Sequence, residues 1–242
     1  MDNDKEILKS EGMLTLQGIK NACQVKFGTN GEEEQICEIT SELQQGIDLI
    51  EQYQHIATIY GSARLTPEHP MYKSVEEMAY RLSKEQHYEI LTGGGGGIME
   101  AGNAGAHRAG GVSVAATIIL PHEQKTNPYA TSVVPFNYFF TRKVVLRYAT
   151  KLAIYCPGGL GTFDELFEVL TLTQTKKKEA VPVILFGTKF WNPVDALIKN
   201  VLQEEFETIS PEDRRLYIIT DDVETVLELA QTIAKKNERP IE

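Results

Sequence analysis

Residues 156–168 read CPGGLGTFDELFE: a proline, three glycines within four positions, a threonine, and a helical pattern opening on two adjacent acids. Each residue type has a chemical use. Glycines let backbone N–H groups approach a ligand closely. A helix start adds amides without intrahelical partners and the positive end of the helix dipole. Together they make an anion site, usually for phosphate. A carboxylate beside such a site needs a cation nearby or a task of its own. T-x-x-E at a helix start is also a capping box, in which Thr162 and Glu165 would satisfy amides of their own helix. The residue types leave both readings open. The capping box does not account for Pro157, Gly158 and Gly159, which make room just where the acid sits.

A second cluster, LTGGGGGIME, places five consecutive glycines at positions 93–97, again between a strand and a helix. Neither named nucleotide motif fits. G-x-G-x-x-G fails because its sixth position falls on Ile98, Met99 or Glu100, and no glycine loop is followed by the Lys-Ser/Thr of a Walker A loop. A tight strand-to-helix turn without a ligand is the plain alternative for either cluster alone. Candidate cations lie upstream of the first cluster at Arg142, Lys143 and Arg147, although basic residues on a helix are more often solvated or paired at the surface. Ser62 and Arg64, in GSAR, follow another strand and would face the same crevice. Among the histidines, His55 and His87 precede strands, and no pair has metal-ligand spacing, so no metal is expected.

The elements that must position these residues alternate. Strands are expected at 55–61, 88–94, 112–120, 152–156, 181–187 and 216–220. Helices are expected at 71–86, 97–110, 139–151, 162–175, 190–206 and 222–236, with a further helical pattern from Ile36 to about Gln54. Continuous apolar strands alternating with amphipathic helices predict an α/β fold: a Rossmann-like, doubly wound parallel sheet covered on both faces. Ligands in such folds bind at the carboxyl ends of the strands, where strand order reverses. One domain over 36–242, preceded by a loose polar arm over 1–35, is the simpler division.

With 242 residues, 42% hydrophobic, the chain can bury a sizeable core, and its net charge of −10 argues against nucleic acid as a partner. None of the cysteines sits in a C-x-x-C pair, so a zinc knuckle is not suggested. The N-terminus lacks the layout of a signal peptide, and no apolar run approaches the ~20 residues of a membrane span. A cytoplasmic protein without membrane contact is the expectation.

Pro157, Gly158, Gly159, Gly161, Thr162 and Glu165 match the P-G-G-x-G-T-x-x-E pattern of the LOG ("lonely guy") family at every fixed position. That family comprises nucleoside-monophosphate phosphoribohydrolases, many once labelled lysine decarboxylases. Arg142 and Lys143 match the family's upstream R-K pair. GSAR, GGGGGIMEAGNAGA, LPHEQKTNPY and FNYFFTRK resemble the longer bacterial branch, and the similarity runs over about residues 36–205. The resemblance implies hydrolysis of the N-glycosidic bond of a nucleoside 5′-monophosphate, AMP or a cytokinin riboside monophosphate, without a cofactor. It implies Glu165 and Arg142 as catalytic residues. Ser62, Met99, Lys143, Pro157, Gly158, Gly159, Gly161 and Thr162 would hold substrate, with Gly94, Gly95, Gly96 and Gly97 lining the other wall. It also implies a homodimer or larger assembly.

Two departures stand out. Family members carry a methionine shortly after the R-K pair, where this chain has Val145 and Leu146, which reads as a core substitution. Plant-type members have glycine where this chain has Glu100, which would project into the crevice and could take ribose hydroxyls. Three competing readings are a molybdenum-cofactor carrier, which resembles this fold and holds a phosphorylated pterin without cleaving it, a nucleotide sensor, and a lysine decarboxylase. The last needs a Schiff-base lysine, and nothing marks Lys143 or Lys151 for it.

Overall fold

The computed structural model describes residues 31–120, 125–148 and 150–237. Helix α1 (Gly31–Ile50) precedes a seven-stranded sheet. The first half of the sheet is β1 (Ile56–Tyr60), β2 (Glu89–Thr92), β3 (Ser113–Ile118) and β4 (Ser132–Phe136), and the second is β5 (Thr150–Tyr155), β6 (Val183–Phe186) and β7 (Ile218–Thr220). Spatial order is β4-β3-β2-β1-β5-β6-β7, and every pairing is parallel. The crossovers carry α2 (Pro70–Gln86), α3 (Ile98–Arg108), α4 (Phe139–Tyr148), α5 (Leu160–Gln174), α6 (Thr188–Leu197) and, at the end, α7 (Val223–Asn237). The expected α/β doubly wound parallel sheet is therefore the observed one.

The apolar runs explain why. IATIY is buried at all five positions, as a strand covered on both faces must be. Alternate residues of one strand feed different layers: in β5, Ala153 and Tyr155 join the core under α1, α4, α5 and α6, while Leu152 and Ile154 join the core under α2, α3 and α7. Leu49, Val145, Leu166 and Trp191 fill the first layer, and Met78, Leu82, Ile98 and Val226 the second. Burying each such side chain contributes roughly 1.5–3 kcal/mol before entropy is counted. Helix α2 also has the local signals of a stable start: Pro70 at its first position, and His69 Nδ1 accepting a hydrogen bond from the Met71 amide at 3.1 Å.

Several elements differ from the sequence reading, α5 among them, which begins at Leu160 rather than at 162. Helix α1 begins at Gly31, so residues 31–35, read as arm, are helical, and the rest of that arm lies outside the described residues. Strand β4 was not expected at all: SVVPF contains Pro135, which withholds an amide and argues against a strand. It is tolerated because β4 is an outer strand. Helix α4 ends at Tyr148 and β5 begins at Thr150, two residues earlier than expected. The helix expected over 190–206 runs from Thr188 and widens into a π-helix over Ile198–Glu205, a change of winding that apolar spacing alone does not reveal.

Candidate active site

Strands β1 to β4 run outward in one direction from β1 and strands β5 to β7 in the other, so order reverses between β1 and β5. Their carboxyl ends are tied together: the Cys156 amide donates to the Tyr60 carbonyl at 2.9 Å, and the Ser62 amide to the Pro157 carbonyl at 3.0 Å. A cleft of about 810 Å³ opens above this point. Of the expected site residues it is lined by Ser62, Met99, Arg142, Glu165 and Thr162, and by Pro157, Gly158, Gly159 and Gly161.

The PGGLGT turn is built as an open helix start. Gly159 is the N-cap of α5 and makes no side-chain capping bond, so Thr162 and Glu165 do not close a capping box. Leu160 and Gly161 are the first two helical residues, whose amides have no partner one turn back. A side chain added at Gly159 or Gly161 would meet no atom within 4 Å, whereas one at Gly158 would collide with the Thr162 hydroxyl. The turn thus presents bare backbone at Gly159 and Gly161 and packs Thr162, also at the cleft, against Gly158.

Glu165 lies one turn further along α5 and is only 8% exposed. Burial raises its carboxyl to about 7, against the opposing pull of Arg142 and Lys143. Arg142 reaches the cleft from α4. Its Nε donates to the Ala116 carbonyl at 2.7 Å, and its guanidinium covers Gly93 so closely that a side chain there would strike it and the Met99 sulfur. Burial lowers the Arg142 pKa, opposed by the charge of Glu165.

Several expected residues sit elsewhere. Gly94, Gly95, Gly96 and Gly97 do not line the cleft. Their segment is bonded inward: the Gly94 amide donates to Thr92 Oγ1 at 3.0 Å, the Asn127 amide to the Gly94 carbonyl at 2.9 Å, and Asn127 Nδ2 to the Gly95 carbonyl at 3.1 Å. Gly97 takes φ +64° against the backbone of Ser62 and Ala63, and the Ile98 amide donates to the Ser62 carbonyl at 2.9 Å. Gly96 and Gly97 pack on the Ser62–Ala63 turn, Gly94 packs on Ala115 and Thr117, and Gly93 faces Arg142. Glu100 is not among the residues lining the cleft, and its carboxylate accepts from the Tyr72 hydroxyl at 3.4 Å. Lys143 bonds Asp164 at 2.9 Å and Glu168 at 3.0 Å, tying α4 to α5. Arg147 reaches Glu168 at 3.9 Å. Val145 and Leu146 are core residues, as expected.

Two cleft residues escaped the sequence reading. Gly93 is the one glycine of its run against which Arg142 rests. Tyr60, the last residue of β1, stacks flat on Tyr155 with ring centroids 4.5 Å apart, and Tyr155 donates to the Glu165 carbonyl at 3.3 Å. Burial raises the Tyr60 pKa far above its usual value, with the charge of Glu165 adding to it. The available signal was positional: Tyr60 ends a strand at the reversal point, immediately before GSAR.

Among the described residues no cluster of His, Cys, Asp or Glu could hold a metal ion, and no helix is long and apolar enough to cross a membrane.

Solved structures share the fold. A structural-genomics target, TM1055, superposes with a TM-score of 0.54 at 22% identity, covering 74% of this chain and 99% of its own. The molybdenum cofactor binding protein of Rippkaea orientalis gives 0.53 at 19% identity, covering 74% and 97%. By sequence, an uncharacterized protein of Archaeoglobus fulgidus is 30% identical over 127 residues, 50% of this chain and 81% of its own. The "probable cytokinin riboside 5′-monophosphate phosphoribohydrolase LOGL6" of Oryza sativa subsp. japonica is 24% identical over 70% of this chain and 69% of its own. The model of the family described as "Possible lysine decarboxylase" matches residues 99–230, more than half of the sequence. The chain belongs to that family, the LOG family.

Proposed function

We propose that this cleft hydrolyses the N-glycosidic bond of a nucleoside 5′-monophosphate, AMP or a cytokinin riboside monophosphate. The observation that carries the reading is the state of Glu165: a buried carboxyl beside an open helix start, free of the capping role its sequence context allowed. The 5′-phosphate is held by the Leu160 and Gly161 amides and the Thr162 hydroxyl, with Arg64 at the rim. The ribose then lies towards Glu165. As the bond from C1′ to the base nitrogen breaks, its electron pair leaves with the base and positive charge builds on the sugar. The carboxylate stabilises that charge and aligns the water whose oxygen bonds C1′. The water's proton passes to the carboxylate, which then gives it up to the departing base nitrogen, directly or through solvent, and the products are free base and ribose 5-phosphate. Arg142 fixes the carboxylate's charge and faces the same space.

Relatives named as cytokinin riboside 5′-monophosphate phosphoribohydrolases support this reading. The shared fold of a molybdenum cofactor binding protein supports a second one, a carrier that binds a phosphorylated ligand without turnover. Incubation with a panel of nucleoside monophosphates and chromatography for free base separates them. Adenine released from AMP is expected, and binding without release of base overturns the hydrolase reading in favour of a binding protein. We also propose a homodimer or larger assembly, supported by Phe139, Phe140, Leu160 and Phe167, which stand exposed on α4 and α5 beside the cleft. Light scattering of the purified chain reads its mass directly.

A further inference from the structure

Arg142 owes its place to α4, and α4 begins in an unusual way. The two residues that lead into it, Asn137 and Tyr138, and the hydroxyl of Thr141 in its first turn are held by a carboxylate from another helix. Glu42, on α1, is 1% exposed. One of its oxygens accepts from the Asn137 amide and from Asn137 Nδ2, each at 2.7 Å. The other accepts from the Thr141 hydroxyl at 2.8 Å and the Tyr138 amide at 3.4 Å. No cation pairs with Glu42 among the described residues; a buried carboxylate is then costly unless donors surround it, and four donors from one short segment do so here. The helix start is the electropositive end, where an anion is favoured.

Glu42 is one rung of a ladder. The Tyr138 hydroxyl donates to Glu38 at 3.4 Å, and the Tyr148 hydroxyl to Glu51 at 2.8 Å. Between them Gly46 lets α1 close on Val145, where any side chain would clash. Helix α1 therefore runs alongside α4 from end to end as a splint. Thr141, bonded to Glu42, is the residue immediately before Arg142.

We propose that Glu42 is a positioning residue for Arg142: by fixing the first turn of α4 it sets where the guanidinium lies relative to Glu165. The kinetic consequence rests on the phosphoribohydrolase reading, and the electrostatic consequence does not. In Glu42→Gln one carboxylate oxygen becomes an amide nitrogen, so at least one N–H of Asn137 or Tyr138 faces another donor, while the Thr141 hydroxyl can turn to the Tyr138 carbonyl at 2.8 Å.

The test measures two quantities in the full chain. The first is the titration of the Glu165 carboxyl, followed by carbon-13 NMR with Glu165→Gln for assignment. The second is kcat and KM for AMP. Displacing Arg142 removes a charge that holds the Glu165 pKa down, so Glu42→Gln is expected to move the titration upward. It is also expected to lower kcat about tenfold with KM little changed, the signature of misplacement rather than lost binding. Glu51→Gln, which breaks another rung and leaves the cap intact, is expected to change neither. Glu42→Asp is expected to restore part of kcat.

A folded Glu42→Gln protein with an unmoved Glu165 titration overturns the proposal. So does an equal shift in Glu51→Gln, which would make the effect one of general α1 docking. If Glu42→Gln does not fold, Thr141→Val, which removes one donor and keeps the charge, is read by the same criteria. If the wild-type chain releases no base, the phosphoribohydrolase reading falls, while the titration still decides the role of Glu42.

Discussion

Arg142 and Glu165 sense each other's charge across the cleft without closing into an ion pair. The arginine is held back by the Ala116 carbonyl and the bare backbone of Gly93. The acid is held by the packing of α5 and by the tyrosine beneath its own carbonyl. A contact pair would neutralise both groups and close the space between them. Held apart, each keeps a face for substrate.

Removal of the acid is the direct check on its role. Glu165→Gln is expected to lower release of adenine from AMP by about 10³-fold, the scale of a lost acid–base group. Affinity for ribose 5-phosphate by calorimetry should stay within a few-fold, because the amides of Leu160 and Gly161 are untouched. A variant that keeps wild-type turnover would remove Glu165 from the mechanism.

The same carboxyl makes stability depend on pH. Its folded value, about 7, lies above the ordinary 4.5, so between these values the folded chain keeps a proton that the unfolded chain gives up. Stability from this group is present at low pH and lost as pH rises through 7, by on the order of 3 kcal/mol. Urea midpoints should therefore show Glu165→Gln more stable than wild type at pH 8 and close to it at pH 5. Equal midpoints at both values would mean that the acid is better solvated than its burial implies.

Lys143 also acts on that titration. It lowers the Glu165 pKa, after burial and Arg142 have set it. Lys143→Gln should shift the rising limb of the kcat–pH profile to higher pH. Its cost in stability should stay below about 1 kcal/mol, since Asp164 is exposed and Glu168 partly so. A large rise in KM would instead mark Lys143 as a ligand to substrate.

Gly93→Ala places a methyl group where the guanidinium and the Met99 sulfur now lie. Arg142 must move, and kcat should fall about 10²-fold while far-UV dichroism is retained. Gly161→Ala meets no atom within 4 Å and serves as the comparison: its fold should be unaffected, with its cost confined to substrate binding.

Asn127 reaches across from the loop before β4 to bond Gly95 and Asn103, and Asn103 in turn accepts from Thr92 at 2.6 Å. All three polar side chains are buried. Asn127→Ala strands buried partners and should cost about 1–3 kcal/mol in thermal or urea unfolding. A neutral result would show the pentaglycine turn to be held by its backbone bonds alone.

What the sequence disclosed follows from range. Buried parallel strands are long apolar runs, so six of the seven were visible, and Pro135 concealed the other. Glu165 could be singled out because its neighbours in sequence are also its neighbours in space. The placement of Gly94 to Gly97 and Glu100 could not, because a glycine turn that lines a cleft and one that packs on another turn have the same composition. Only the tertiary meeting with Ser62, Ala63 and Asn127 separates them. Glu42 was hidden for the same reason: in sequence it is a helical glutamate like Glu38 or Glu51, and its four donors lie about a hundred positions away.

Pro135 has one more effect. Aligned β-strands tend to recruit further strands from neighbouring molecules, and that route to fibres is obstructed on both flanks here. On the β4 flank an imide nitrogen stands where a donor would be required. On the β7 flank only three residues offer a template. Copies of this chain are thereby steered away from backbone-to-backbone polymerisation, and any stable association is left to the helical exterior.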